Sequence, residues 1–487
     1  MDPSPILTRH VVSINDLSNR EIEAVFSLAG HYLHRFADAN LKYRIGRSTD
    51  LAKDFVLATL FYEPSTRTRL SFESAMARLG GATITSADPT TSSAAKGESL
   101  ADTVRVLSNY ADIIVIRHPK DGAARLAAEF STVPLINGGD GSHEHPTQTL
   151  CDLFTLTTGN KSLKNLKVAI KGDLKGSRTV HSFVYALARF GAAIQPQPAK
   201  GMELPPHVDE RLREEFHCEI IAPKTGTDSP SVDALYVTPD EPHQPSLFSD
   251  KPEISLAIQI SRKKFDALYV TRFQKERWQD KGQPYPKVDT KFLRSAKYSE
   301  ASVLHPLPRV GELDVELDSD ARAKYFQQAS YGVPIRMALI SLLLGIKDET
   351  VKDETPFERF AGGFRRRHHL LYRQRRGIGL ECANANCITR EESEQQYVEN
   401  RFHIIPRKSF GRSKLRCFYC ETDVDDFIVG NKKNKWYVTD KAALDDITET
   451  TLGDFVFFAN DQDAKNEGYH VRKVPLERRK TAHKPGI

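Results

Sequence analysis

Apolar runs of about six residues alternate, through the first third of the chain, with stretches whose apolar positions recur at helical spacing. The runs are Phe55–Leu60, Ala82–Thr85, Ile113–Ile116 and Val133–Ile136. Between them the spacing predicts helices near 67–79, 98–110 and 122–130, after one long amphipathic helix from Asp16 to about Asn40. Such alternation predicts a parallel sheet with helices on both faces. A second half of the same kind begins at the strand Leu166–Lys171, followed by a helix to about Phe190, and closes on the helix Val333–Leu344, expected to pack back on the first half. The fold class predicted is α/β, with two doubly wound parallel-sheet subdomains followed by a small β-rich domain. The expected division is 1–148, 149–347, a polar linker 348–379, a compact domain 380–460 and a charged, disordered tail 461–487.

Length agrees with this count. The chain has 487 residues, and at roughly 150 per domain three is the prior number. Net charge is only +5, which by itself implies no polyanion partner. A nucleic-acid patch would need aromatic interleaving and more net charge than the basic runs Arg365–Arg367 and Arg373–Arg376 bring, so a linker is preferred. No apolar run is long enough to span a bilayer, and residues 1–20 show no secretion signal.

Candidate chemistry lies at strand-to-helix junctions, where ligands of open parallel sheets bind. Ser65-Thr66-Arg67-Thr68 follows the strand Phe55–Leu60 and opens a helix. Free N–H groups and the helix dipole favour an anion there, and the hydroxyls and the Arg67 fork add donors. Arg117 ends another strand, placed for a second anion contact, and His145 precedes a helix opened by Pro146. Lys96 and Ser92 lie in a small, polar loop, which taken alone is a surface loop. The four late cysteines, Cys382-x4-Cys387 and Cys417-x2-Cys420, have the pairing of a tetrahedral Zn²⁺ site in a reducing compartment. Cys151 and Cys218 are isolated and expected to be structural.

These motifs carry a family resemblance. Phe61-Tyr62-Glu63-Pro64-Ser65-Thr66-Arg67-Thr68-Arg69 resembles the carbamoyl-phosphate signature of the aspartate and ornithine carbamoyltransferases. Ser92-x3-Lys96-Gly97-Glu98, Arg117-His118-Pro119, His145-Pro146-Thr147-Gln148 and the Arg178-Thr179-Val180-His181 turn follow in family order. Thr271-Arg272-x-Gln274 and His305-Pro306-Leu307-Pro308-Arg309 are similar to the aspartate type, and Gly311 stands where the family has Asp. That change is expected to alter loop ordering rather than substrate contact. The late cysteines resemble the zinc domain of the aspartate carbamoyltransferase regulatory chain, without room for its nucleotide-binding domain.

The resemblance implies transfer of a carbamoyl group from carbamoyl phosphate to L-aspartate, in pyrimidine synthesis in the cytoplasm. It implies that Ser65, Thr66, Arg67 and Thr68 hold the phosphate, with Ser92 and Lys96 of a neighbouring subunit in a homotrimer or larger assembly. Thr68, Arg117 and His145 would face the carbonyl oxygen, and Gln148 the carbamoyl amide. Arg178, Arg272 and Gln274, with Lys96, Leu307 and Pro308, would hold the aspartate. Zinc would be structural, with no cofactor for catalysis and no nucleic-acid or membrane partner. The alternatives are a carbamoyltransferase for another amine acceptor, against which Arg272 argues for ornithine, and an inactive scaffold.

One pattern fits no family expectation. Asp233-Ala234-Leu235-Tyr236-Val237-Thr238 recurs as Asp266-Ala267-Leu268-Tyr269-Val270-Thr271, and only the second copy continues into Arg272. Residues 233–265 therefore read as an insertion, and which copy is the original strand stays open. Pro239–Ser246, proline-rich and without helical period, is expected either as an exposed loop or as a gene-model error.

Overall fold

The computed structural model describes residues 10–36, 48–87, 93–158, 162–222, 232–239, 264–272, 288–348, 370–374, 380–405 and 414–472. The chain divides into two compact units, 1–365 and 366–487.

In the first unit, a four-stranded parallel sheet has the order β2-β1-β3-β4. Its strands are β1 (Val56–Phe61), β2 (Ala82–Ser86), β3 (Ile113–His118) and β4 (Leu135–Asp140). The connecting helices are α2 (Thr66–Arg78), α3 (Leu100–Leu107) and α4 (Ala123–Phe130). Strands β3 and β4 are buried throughout; the apolar run Ile113–Ile116 of β3 suits a sheet covered on both faces, whereas β4 also buries the polar Asn137 and Asp140. The leading helix, α1 (Asn19–Phe36), begins three residues later than the sequence pattern indicated. Asp16 instead turns back to accept the N–H groups of Val12 and Ser13, closing a capping box on a short 3₁₀ turn.

Helix α5 (Pro146–Thr157) leads to a second parallel sheet of order β6-β5-β7-β8-β9. This sheet comprises β5 (Lys167–Gly172), β6 (Ala193–Pro198), β7 (Ala234–Val237), β8 (Ala267–Val270) and β9 (Ser302–Leu304), with α6 (Arg178–Arg189) after β5 and the short α7 (Pro206–Glu210) after β6. Both copies of the repeat are strands. They lie side by side in register, Ala234 on Ala267 through Val237 on Val270. Identical side chains thus neighbour one another, and Tyr236 stacks on Tyr269 with centroids 4.2 Å apart. The insertion adds a strand to the sheet, and Pro239 is buried at its end rather than exposed; residues 240–263 lie outside the described residues.

Helix α8 (Tyr325–Leu344) returns to the first half, as its apolar pattern indicated. It starts earlier than expected, with Tyr325 buried. Its residues Ser341 and Arg336 meet Tyr32 (3.0 Å between hydroxyls) and the ring of Phe72 (4.8 Å). One apolar core runs from α1 through both sheets to α8.

The second unit is β-rich. An antiparallel sheet, β10-β11-β12-β13, contains β10 (Leu370–Gln374), β11 (Asn400–Ile405), β12 (Lys414–Cys417) and β13 (Asp423–Val424). Residues 370–374, expected in the linker, are its edge strand, and Tyr372 buries its ring against Phe457. A second sheet, β16-β14-β15-β17, is made by β14 (Ile428–Asn431), β15 (Trp436–Val438), β16 (Phe455–Phe458) and β17 (His470–Val471). The expected disordered tail is therefore folded as far as 472. Helix α9 (Asp461–Asn466), capped by Asn460, buries Ala464 against this sheet.

Candidate active site

A cavity of about 990 Å³ opens at the carboxyl ends of the strands of the first unit. Three strand-to-helix junctions build its floor. Ser65 ends the turn after β1 and precedes α2, but its side chain makes no capping bond, so the hydroxyl is left for a ligand. Thr66 and Arg67 are exposed to the cavity and Thr68 is buried beneath them. Burial and the charge of Arg272 both push the Arg67 guanidinium below its usual range. A guanidinium lowered by a second arginine in an open cavity marks a site that draws an anion.

Arg117, at the end of β3, and His145, before α5, are buried. They meet Arg178, at the start of α6, around Gly139. A Cβ at Gly139 would lie 3.3 Å from Arg117 Nη1, from Arg178 Cζ and from His145 Cδ2, and its φ of +116° is one that L side chains rarely adopt. Glycine here lets three side chains from different elements approach one point.

Glu63 couples the two guanidinium groups. Its Oε1 accepts from Arg117 Nη2 at 2.9 Å and from Arg178 Nη2 at 3.1 Å, and its Oε2 accepts from Arg178 Nη1 at 3.0 Å. Burial pushes the Glu63 carboxyl up, but Arg178 and Arg117 outweigh it and hold the group at about 2. Burial, then the neighbouring Arg178, push Arg117 down to about 10. His145 is held well below the usual histidine range by burial and by the charges of Arg117, Arg178 and Arg336. Its ring is therefore neutral, a hydrogen-bond donor rather than an acid. Ser182 fixes its backbone, accepting from His145 N at 3.0 Å.

The opposite wall comes from the second half. Thr238, Pro239, Thr271, Arg272, Leu307 and Pro308 face the cavity. Leu307 has φ +55° and precedes a cis proline. His305 pins this loop: its Nδ1 accepts from Leu307 N at 2.8 Å and its Nε2 meets Glu312 Oε1 at 2.7 Å. Glu312 also accepts from Val310 N at 3.0 Å. Gly311 between them has φ +127° and open space around it. It shapes the loop and is not among the residues that line the cavity.

Of the residues singled out from sequence, Ser65, Thr66, Arg67, Thr68, Arg117, His145, Gln148, Arg178, Arg272, Leu307 and Pro308 line this one cavity. Lys96 does not; it is exposed on a 3₁₀ turn, Ser93–Lys96. Ser92 and Gln274 lie outside the described residues. Glu63 and Arg336 were not singled out. Glu63 stood inside the first motif, and Arg336 was a lone charge in an apolar helix, a signal for a buried polar role.

In the second unit, Cys382, Cys387, Cys417 and Cys420 are all buried, and their four sulfurs lie within 4.8 Å of one another. The N–H of Asn384 and the hydroxyl of Thr389 donate to Cys382 and Cys387 sulfurs at 3.4 and 3.2 Å. Four convergent thiols with outer donors fit a tetrahedral metal. Cys151 is buried and Cys218 half-buried, and neither joins the cluster.

Comparison with known proteins agrees with this arrangement. Residues 9–158 match the aspartate/ornithine carbamoyltransferase carbamoyl-P binding domain, and 241–343 match the Asp/Orn binding domain of the same family. Residues 374–429 match the aspartate carbamoyltransferase regulatory chain metal binding domain. The aspartate carbamoyltransferase catalytic subunit of Picrophilus torridus is 42% identical over 341 residues, covering 69% of this chain and 98% of that one. The catalytic subunit of M. jannaschii aspartate transcarbamoylase has a TM-score of 0.53 at 41% identity, over 69% of this chain and 98% of that one. Aspartate transcarbamoylase from Trypanosoma cruzi, solved with carbamoyl phosphate and aspartate, gives 0.53 at 31% identity, over 69% and 97%.

Proposed function

This chain belongs to the aspartate/ornithine carbamoyltransferase family, and from that premise we propose that it transfers the carbamoyl group of carbamoyl phosphate to the amine of L-aspartate. The products are N-carbamoyl-L-aspartate and phosphate, in pyrimidine synthesis in the cytoplasm. The observation that carries the reading is the convergence of Arg117, Arg178 and His145 on Gly139 beside the helix N-terminus at Ser65.

The reaction is acyl transfer. The neutral amine of aspartate attacks the carbonyl carbon, the C–N bond forms, the C–O bond to phosphate breaks, and the departing phosphate takes the amine proton. Ser65, Thr66, Arg67 and Thr68 hold the phosphate at the start of α2, where N–H groups and the helix dipole meet negative charge. Thr68, Arg117 and neutral His145 donate to the carbonyl oxygen as charge develops on it. Each such donor contributes on the order of 10²–10³ in rate. Gln148 holds the carbamoyl amide. Arg178, Arg272 and Gln274 hold the aspartate carboxylates, with Leu307 and Pro308 at its amine. Glu63 occupies the Arg178 fork in this structure, so substrate must share or displace it.

Lys96 and Ser92 act from a neighbouring subunit in a homotrimer, consistent with Lys96 standing outside its own chain's cavity. The four cysteines hold structural zinc, which takes no part in the transfer; bound there, it would supply folding free energy to the second unit. Ornithine as acceptor is disfavoured by Arg272, whose cationic fork repels its side chain.

The test is a carbamoylation assay with aspartate or ornithine, on the native protein and on Arg272→Ala. Turnover of aspartate alone, lost in the variant, is expected. No turnover with carbamoyl phosphate still bound would sink the reading in favour of a scaffold whose widened second sheet disables the acceptor site.

A further inference from the structure

We infer that Asp152 is a positioning residue that fixes the Gln148 side-chain amide, turning its oxygen toward the N–H groups of the bound carbamoyl moiety. The inference rests on the proposed role of Gln148 as the carbamoyl contact.

Asp152 lies one turn beyond Gln148 on α5 and is fully buried. Its Oδ1 accepts from Gln148 Nε2 at 2.8 Å and from Gln328 Nε2 at 2.7 Å. Its Oδ2 accepts from Tyr269 OH at 3.1 Å. Three donors face its two oxygens, and in the ionised form, which measurement at alkaline pH populates, the carboxylate has no hydrogen to give, so it selects the NH₂ end of each amide and rejects the oxygen end. Flipping either amide would set oxygen against oxygen in a dry interior. For Gln328, both ends are thereby committed, because its Oε1 accepts from His305 N at 2.9 Å. For Gln148, only the nitrogen end is used; the residue is half-buried and lines the cavity. The end left over is an acceptor. An acceptor recognises a carbamoyl NH₂ and finds nothing on a methyl group.

A carboxylate is an expensive way to hold a core together. Burial pushes Asp152 up to about 7 despite the Gln328, Gln148 and Tyr269 donors. Packing alone would be met at lower cost by an apolar residue of the same volume. What an apolar residue cannot do is choose which end of an amide faces the ligand.

The discriminating ligand is acetyl phosphate, which replaces the carbamoyl NH₂ with CH₃ and keeps the rest. The measurement is the ratio of affinities for carbamoyl phosphate and acetyl phosphate, by calorimetry on the full chain. In Asp152→Leu, which keeps the volume and removes the acceptor, the ratio should fall at least tenfold while acetyl phosphate binding changes little. Asp152→Asn keeps an oxygen for both amides and should restore most of the ratio. A residue that only supported the core would lower thermal stability and leave the ratio alone. Asp152→Ala, which also removes the acceptor, serves the same purpose should the leucine variant not fold. Gln148→Met separates the two readings. If it lowers the ratio and the Asp152 variants do not, the inference on Asp152 is overturned while the role of Gln148 stands. If Gln148→Met leaves the ratio unchanged, both are overturned.

Discussion

His145 shows how a single residue's chemistry is set by its surroundings. Burial and three arginines keep its ring neutral, and the proposed mechanism gives it the role of a donor. His181 and His305 are lowered by burial too. The unfolded chain protonates these rings near pH 6.5, whereas the folded chain does not. The unfolded state thus binds more protons as pH falls, and stability falls with it. We expect the melting temperature to drop between pH 7 and 5, before most carboxylates titrate. His145→Ala should lower kcat by about 10²–10³, and the native kcat profile should lack an acid limb near 6.5. Such a limb, abolished by the substitution, would show that the imidazolium is the active form. At this scale the sequence was most legible. Eleven of the residues singled out lay in short motifs that the fold brings to one cavity, whereas Lys96 stands outside it. Glu63 was passed over because its partners, Arg117 and Arg178, lie 54 and 115 positions away.

The repeated strand makes the same point for elements. Tyr236 and Tyr269 occupy the same place in identical strands, yet their hydroxyls do different things. Tyr269 donates to the buried Asp152 carboxylate, and Tyr236 meets the Thr179 hydroxyl at 3.2 Å. Hydrogen bonds to charged groups contribute about 1.5–3 kcal/mol, and neutral ones about 0.5–1.5. Tyr269→Phe should therefore destabilise more than Tyr236→Phe, by chemical denaturation of both variants; equal losses would mean that Asp152 draws nothing from Tyr269. The verbatim repeat left open which copy was the original strand, and the structure makes both copies strands. Their order in the sheet was not legible, because two identical strands satisfy the same neighbours equally well in isolation. Only the asymmetry of what flanks them, Arg272 after one and Pro239 after the other, gives the copies separate roles.

At the level of the whole molecule, two units with separate cores predict two separable unfolding events. Removing metal from the four-cysteine cluster should lower the transition of the second unit and leave carbamoyl transfer by the first unchanged, as followed by calorimetry with and without chelator. A single transition moved as a whole would contradict this. The shared-site reading has its own test. Lys96→Ala and His145→Ala proteins, each strongly impaired, should regain activity when dissociated and reassembled together. No recovery would place Lys96 within its own chain's site. The sequence alone determined the α/β class, the junction motifs and the metal cluster, because apolar periodicity and short-range spacing are local properties. Tertiary structure alone decided that Gly139 is where three side chains meet, that Glu63 bridges two arginines and that Asp152 commits two amides. It also decided that a duplicated strand widens the second sheet. Each of these depends on which distant segments come within hydrogen-bonding reach, and that follows from the packing of the entire core rather than from any window of the chain.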